Sequence, residues 1–208
     1  MTPHDPAERL DRSWRLALAA APALWLPLTL IHPFDITDVT SGDQEADWIV
    51  THVAMLILTP LVGIVLFVML NGITGAAATV ARIATACWIA AFAAFESIAG
   101  ITTGVLAGLG EPQAAERLFE HGTVGGDLSV LGFIAHPLWG VAVLSAAVAL
   151  RTGGAPRPVW VGLGISALFV IGHAGPLAFI AFTALTVAAW SATSPDGSTV
   201  FEPAAATG

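Results

Sequence analysis

A chain of 208 residues that is 56% hydrophobic and 11% charged, with mean hydropathy +0.80, is too apolar for a soluble domain, where about a quarter of residues carry charge. Its net charge of −8 and seven scattered arginines exclude a nucleic-acid interface, and its single cysteine, Cys87, excludes a disulfide framework or a thiolate metal site. The composition predicts a multi-pass integral membrane protein whose first partner is the lipid bilayer.

Residues 1–13 form a polar segment that ends among Arg9, Arg12 and Arg15, immediately before an apolar run from Leu16 to Ile31. That run reads as an uncleaved first span, kinked at Pro22 and Pro27 and ended by His32-Pro33. Phe34 to Asp47 reads as a solvated acidic loop. Trp48 marks an interface, and Ile49 to Leu70 makes a second span with His52 one turn inside it.

The third span, Thr79 to Leu109, is the longest apolar run and carries a carboxylate, Glu96, at its heart. A carboxylate at mid-bilayer costs about 3 kcal/mol, so Glu96 is expected to face protein, a partner or a wet cavity. Helical spacing aligns it with Gly100, Gly104 and Gly108, a small-residue track that permits close helix approach within the chain, to a membrane protein partner or in a homo-oligomer.

A second acidic loop follows, with Glu111, Glu116, Glu120 and Asp127, the last placed to cap a fourth span from Leu128 to Leu150. The stretch from Val159 to Ala192 is broken by Gly172-His173-Ala174-Gly175-Pro176 and reads as two short spans, with one long interrupted helix as the alternative. Residues 193–208 read as a disordered tail. The fold class is thus all-α: a transmembrane bundle of six spans, or five, over residues 14–192. On six spans with a cytoplasmic N-terminus, every arginine except Arg117 falls inside, as basic residues in a bacterial plasma membrane should.

This topology gathers the histidines near the outer face. His32 and His173 fall at outer span ends and His121 in an outer loop, while His52 lies about 6 Å below the boundary at 1.5 Å per residue. His136 and Glu96 lie deeper, at about 14 and 20 Å. Glu96 and His136 are therefore expected to pair, with polar backbone exposed where Pro137 leaves the Phe133 carbonyl without its usual donor. Glu96, His136, His52 and His173 would line an outward-facing polar site for a small ligand or a proton.

Two other chemistries fit the same residue types. His52, His136, His173 and Glu96 supply nitrogen and oxygen ligands for a zinc ion with an open position, and His52 with His136 would serve as axial ligands of a haem. Neither has a spacing motif on one helix: no His-Glu-x-x-His occurs. Structural pairing, or a role as subunit of a membrane complex, is the third reading.

The run Glu96-Ser97-Ile98-Ala99-Gly100-Ile101-Thr102-Thr103-Gly104, with Asp47-Trp48 and His52 after the acidic loop and the late His173-Ala174-Gly175-Pro176, resembles a group of multi-pass bacterial membrane proteins to which no activity is attached. The resemblance implies the topology and leaves function open. Seven-span zinc-dependent membrane hydrolases also place histidines in the outer leaflet, but their helix count and paired His and Asp spacing are missing here.

Overall fold

The computed structural model describes residues 6–33, 36–41, 44–121 and 129–192, and all regular structure among them is helical. Ten of the helical stretches are α1 (Pro6–Ile31), α2 (Ile36–Thr40), α3 (Glu45–Met69), α4 (Ala76–Phe95), a π-helical segment (Glu96–Thr102), α5 (Thr103–Gly108), α6 (Pro112–His121), α7 (Val130–Thr152), α8 (Arg157–Ser166) and α9 (Gly175–Ser191). A 3₁₀ turn, Ala167–Ile171, continues α8. Three units are long and apolar enough to cross a membrane: Glu45–Met69, Ala76–Gly108 and Val130–Thr152. Arg15–Ile31, Arg157–Ile171 and Gly175–Ser191 are shorter apolar helices.

The longer helices close into a ring in which each packs on the next, in the order α1, α3, α4, α7, α8, α9 and back to α1. Its centre is aromatic. Trp25 of α1 stacks on Phe182 of α9 with centroids 4.5 Å apart, Trp88 of α4 meets Trp139 of α7 at 4.6 Å, and Phe92 and Phe169 fill the space between. Such rings each bury some 150–250 Å² and pack by edge and offset contacts, so they fix the helices laterally.

Val159 to Ala192 is indeed interrupted. The 3₁₀ turn ends at Gly172, and Gly175, at φ +74, starts α9 with Pro176 in its first turn. That positive φ favours glycine, and the proline cannot donate to the preceding turn, so the chain reverses here. α8 and α9 then lie side by side, close enough that a Cβ at Gly162 would sit 2.6 Å from the Ala184 carbonyl oxygen.

Both acidic connections hold more helix than their composition suggests. α2 occupies part of the first, and α3 starts at Glu45, before the apolar run. The second folds as the strongly amphipathic α6, which packs on α5 and α2. Charged residues there mark one helix face, because helix formation depends on periodicity as well as on mean polarity. α1 likewise begins at Pro6, within the polar segment. Asp127 and residues 193–208 lie outside the described residues; α7 is capped by Ser129, whose Oγ accepts from the Gly132 amide at 3.2 Å.

Candidate functional site

Four connected elements bring polar side chains to one end of the ring. His32 follows α1, His52 lies in the second turn of α3, Glu96 opens the π segment, and His173 sits in the reversal between the 3₁₀ turn and α9. All four are buried, Glu96 completely. His136, in the second turn of α7, is half-buried beside them, its ring 5.5 Å from that of His173.

The two tightest histidines are held from behind. His52 Nδ1 donates to the Trp48 carbonyl at 2.7 Å, one helical turn back, and His32 Nδ1 donates to the Pro33 carbonyl at 2.6 Å. A carbonyl only accepts, so both Nδ1 atoms carry their protons, and both neutral rings present a lone pair at Nε2. Those two Nε2 atoms face each other at 3.3 Å. Two lone pairs at that separation repel unless a cation lies between them.

Two kinds of cation are compatible with this separation, a shared proton and a metal ion. A hydrogen bond from nitrogen has its optimum near 2.9–3.0 Å, whereas two nitrogens at about 2.05 Å from a tetrahedral zinc-type ion are separated by about 3.3 Å. The third nitrogen comes from His173: ligand atoms of His32, His52 and His173 all lie within 4.8 Å of one another. The Nδ1 hydrogen bonds to backbone carbonyls are the outer-shell arrangement that orients metal-binding imidazoles.

The carboxylate stands beside this cluster. Glu96 Oε2 is 3.9 Å from His52 Nε2, close enough to offset positive charge there. The π segment holds it in place. Thr102 Oγ1 donates to the Ser97 carbonyl at 2.8 Å and Thr103 Oγ1 to that of Ile98 at 3.4 Å, both five residues back, while Trp48 Nε1 donates to the Gly100 carbonyl at 2.8 Å. Single π turns of this kind recur at functional sites in helices.

Trp48 is buried, and its ring lies tilted 4.5 Å from that of His52. The glycine track faces α3. A Cβ at Gly100 would lie 2.6 Å from His52 Cβ, one at Gly104 2.5 Å from Ile49 Cγ1, and one at Gly108 a comfortable 3.5 Å from the Glu45 carboxylate. The close approach that the track permits is thus made within the chain.

Of the sequence-predicted site residues, the structure gathers Glu96, His52, His173 and His136 at one end of the bundle. The His136 Nδ1 donates to the Gly132 carbonyl at 3.0 Å, and the ring packs on Phe92 and Phe95. His32 is the residue that sequence reasoning missed; a histidine before a proline at a helix end resembles an ordinary polar terminus, and only its shared depth with His52 and His173 signalled more. His121 has no described side chain. A haem between His52 and His136 does not fit, because the Nε2 of His52 is directed at His32 with no room for a flat macrocycle.

Two cavities adjoin the cluster. One, of about 430 Å³, is lined by residues of α7 and of the 3₁₀ turn, with His136 and His173. The other, of about 170 Å³, is lined by His32, Trp48, Phe119 and His173 among others. No family model matches the chain. No curated protein and no solved structure matches it either.

Proposed function

We propose that the chain is a metal-binding integral membrane protein of the bacterial plasma membrane, with six spans and a cytoplasmic N-terminus. Its outward-facing polar site holds one divalent ion of the zinc type on His32, His52 and His173 and presents an open coordination position to a small ligand. The observation that carries the metal reading is the pair of Nε2 atoms facing each other at 3.3 Å with both Nδ1 atoms committed to carbonyls. Three imidazole nitrogens within 4.8 Å of one another favour zinc over magnesium or calcium, which want oxygen ligands. Glu96 lies beside His52 as the counter-charge that lowers the cost of holding a dication away from water.

An even number of crossings is supported by the packing of the two ends of the described chain. Arg15, at the start of the apolar part of α1, donates to the Trp190 carbonyl and stacks on the Trp190 ring at 4.6 Å, so the beginning of the first span and the end of the last lie on the same side. Arg151 stacking on Trp160 sits at the turn between α7 and α8, a second basic residue on the side assigned to the cytoplasm.

Metal analysis of the purified protein tests the reading. About one zinc-type ion per chain is expected, lost in His32→Ala and His52→Ala and kept in Cys87→Ser, whose side chain is exposed and remote from the cluster. A metal-free preparation with its histidines intact overturns it. The result would then favour a second reading, a proton site in which one shared proton lies between His32 and His52 and is balanced by Glu96, for which the 3.9 Å contact of Glu96 with His52 is the specific support.

A further inference from the structure

Two cavities border the three-histidine site, and their linings differ in how much of it they reach. The large one meets the three histidines only through His173, whereas the small one is walled by both His32 and His173. His52 and Glu96 line neither. An ion held by three nitrogens keeps its fourth direction where its ligands border open space, so the open position belongs to the small cavity.

The wall of that cavity offers little to a polar body. The Trp48 indole N–H donates to the Gly100 carbonyl, the His32 Nδ1–H to the Pro33 carbonyl and the Gly172 amide to the Phe169 carbonyl. Trp48 and Phe119 meet edge to face there at 5.5 Å, with Pro33 and Ala174 also on the wall. Phe119 on α6, Gly172 and Ala174 are half-buried and form the mouth. At about 170 Å³ the space is smaller than the roughly 300 Å³ of a drug-sized pocket and close to the roughly 150 Å³ that houses one benzene.

Charge selects the head of the ligand. Three neutral imidazoles leave a dication its two positive charges, and Glu96 beside His52 offsets one of them. A ligand with one negative charge brings the buried site to neutrality, where a neutral ligand leaves a net charge away from water. A carboxylic acid, with an ordinary pKa of about 4, already carries that charge at neutral pH. Asp38 on α2 and Asp47 on α3 are exposed, so water and salt screen their repulsion of an incoming anion.

We propose that the small cavity binds a small carboxylate with an apolar body of benzene size, one carboxylate oxygen taking the open position on the metal and the body lying against Trp48 and Phe119. This names the small ligand of the functional reading and rests on that reading's metal.

The test uses the full chain in phosphatidylcholine nanodiscs loaded with cobalt(II), whose visible absorption reports the fourth ligand. Benzoate is expected to shift the band at a concentration about tenfold lower than acetate, which has the head without the body. Benzamide, with a neutral head, and toluene, with none, should leave it unchanged. Ala174→Leu, which fills the mouth, should erase the preference for benzoate and keep the acetate shift. Phe119→Ala, which removes a wall, should shrink the preference if the first variant does not fold. Phe133→Ala, at the large cavity, should leave it intact. A chain that develops no cobalt band overturns the metal reading and this proposal with it, whereas a cobalt band that benzoate does not move overturns this proposal alone. Equal affinities for benzoate and acetate, a shift with benzamide or toluene, a preference that survives both Ala174→Leu and Phe119→Ala, or one lost in Phe133→Ala also overturns it.

Discussion

His32 and His52 turn their Nε2 atoms toward one another across 3.3 Å, each ring pinned from behind by a carbonyl. Neither ring is replaceable, since removing either leaves only two of the three imidazole nitrogens that gather there. Single His32→Ala and His52→Ala substitutions are expected to weaken zinc binding by more than about 100-fold, beyond the range seen when an outer-shell partner is lost. The double variant should be hardly worse than either single one, because the first substitution already breaks the pair. Competition against a fluorescent chelator measures all three; additive losses would mean that the two rings bind independently.

Glu96→Gln separates a charge-balancing role from a packing role. The amide keeps the shape and loses the charge 3.9 Å from His52, so zinc affinity should fall by about 10- to 100-fold as for other outer-shell carboxylates. A variant that melts at a lower temperature in detergent but binds zinc with unchanged affinity would assign Glu96 to register alone.

The glycine track yields a graded series. Gly100→Ala drives a methyl into the His52 ring and should destabilise the chain by about 1–3 kcal/mol as overpacking does, with loss of bound metal. Gly108→Ala meets only ordinary contact with the Glu45 carboxylate and gains helix propensity of up to about 1 kcal/mol, so it should be neutral or stabilising. Thermal melts of the two variants, read beside metal content, check the contrast; equal melting temperatures would refute the packing of α3 on the π segment.

Trp25→Ala addresses the bundle without addressing the site. Trp25 is fully buried and stacked on Phe182 in the centre of the ring, so its loss should cost about 3–5 kcal/mol. Folded protein recovered at low temperature should still bind zinc, because among the described residues the Trp25 ring packs on Phe92, Phe169 and Phe182 and on none of the three histidine rings. Metal loss in folded Trp25→Ala would show that the aromatic centre and the histidine cluster are coupled.

The helical class was legible because apolar runs of membrane length are written along the chain, and the break at Gly172 to Pro176 was legible because glycine and proline each disfavour helix for a local reason. The extent of α6 was less so: its residues are polar on average, and only their spacing places Ala115 and Phe119 on an inward face. At the site, depth arithmetic gathered His52, His136, His173 and Glu96 at one end, since rise per residue is nearly constant along a helix. It could not sort neighbours around the ring, which depends on which helices touch. That is why the place of His32, on α1 and adjacent to α3, came only with the packing. The π segment was equally hidden, because its cause is a set of hydroxyls reaching carbonyls five residues back and no periodicity announces it.

That segment sets two rotational phases on a single helix. At its start, Glu96 must look toward His52; downstream, Gly104 and Gly108 must look toward Ile49 and Glu45. A regular α-helix advances about 100° per residue, so adding or removing one residue between 97 and 102 would swing one half of the helix away from α3 while the other stayed docked. The surplus residue works as a fixed gear offset between the two halves. Lineages of this chain should therefore tolerate side-chain replacement along residues 97–102 far better than a change in their number.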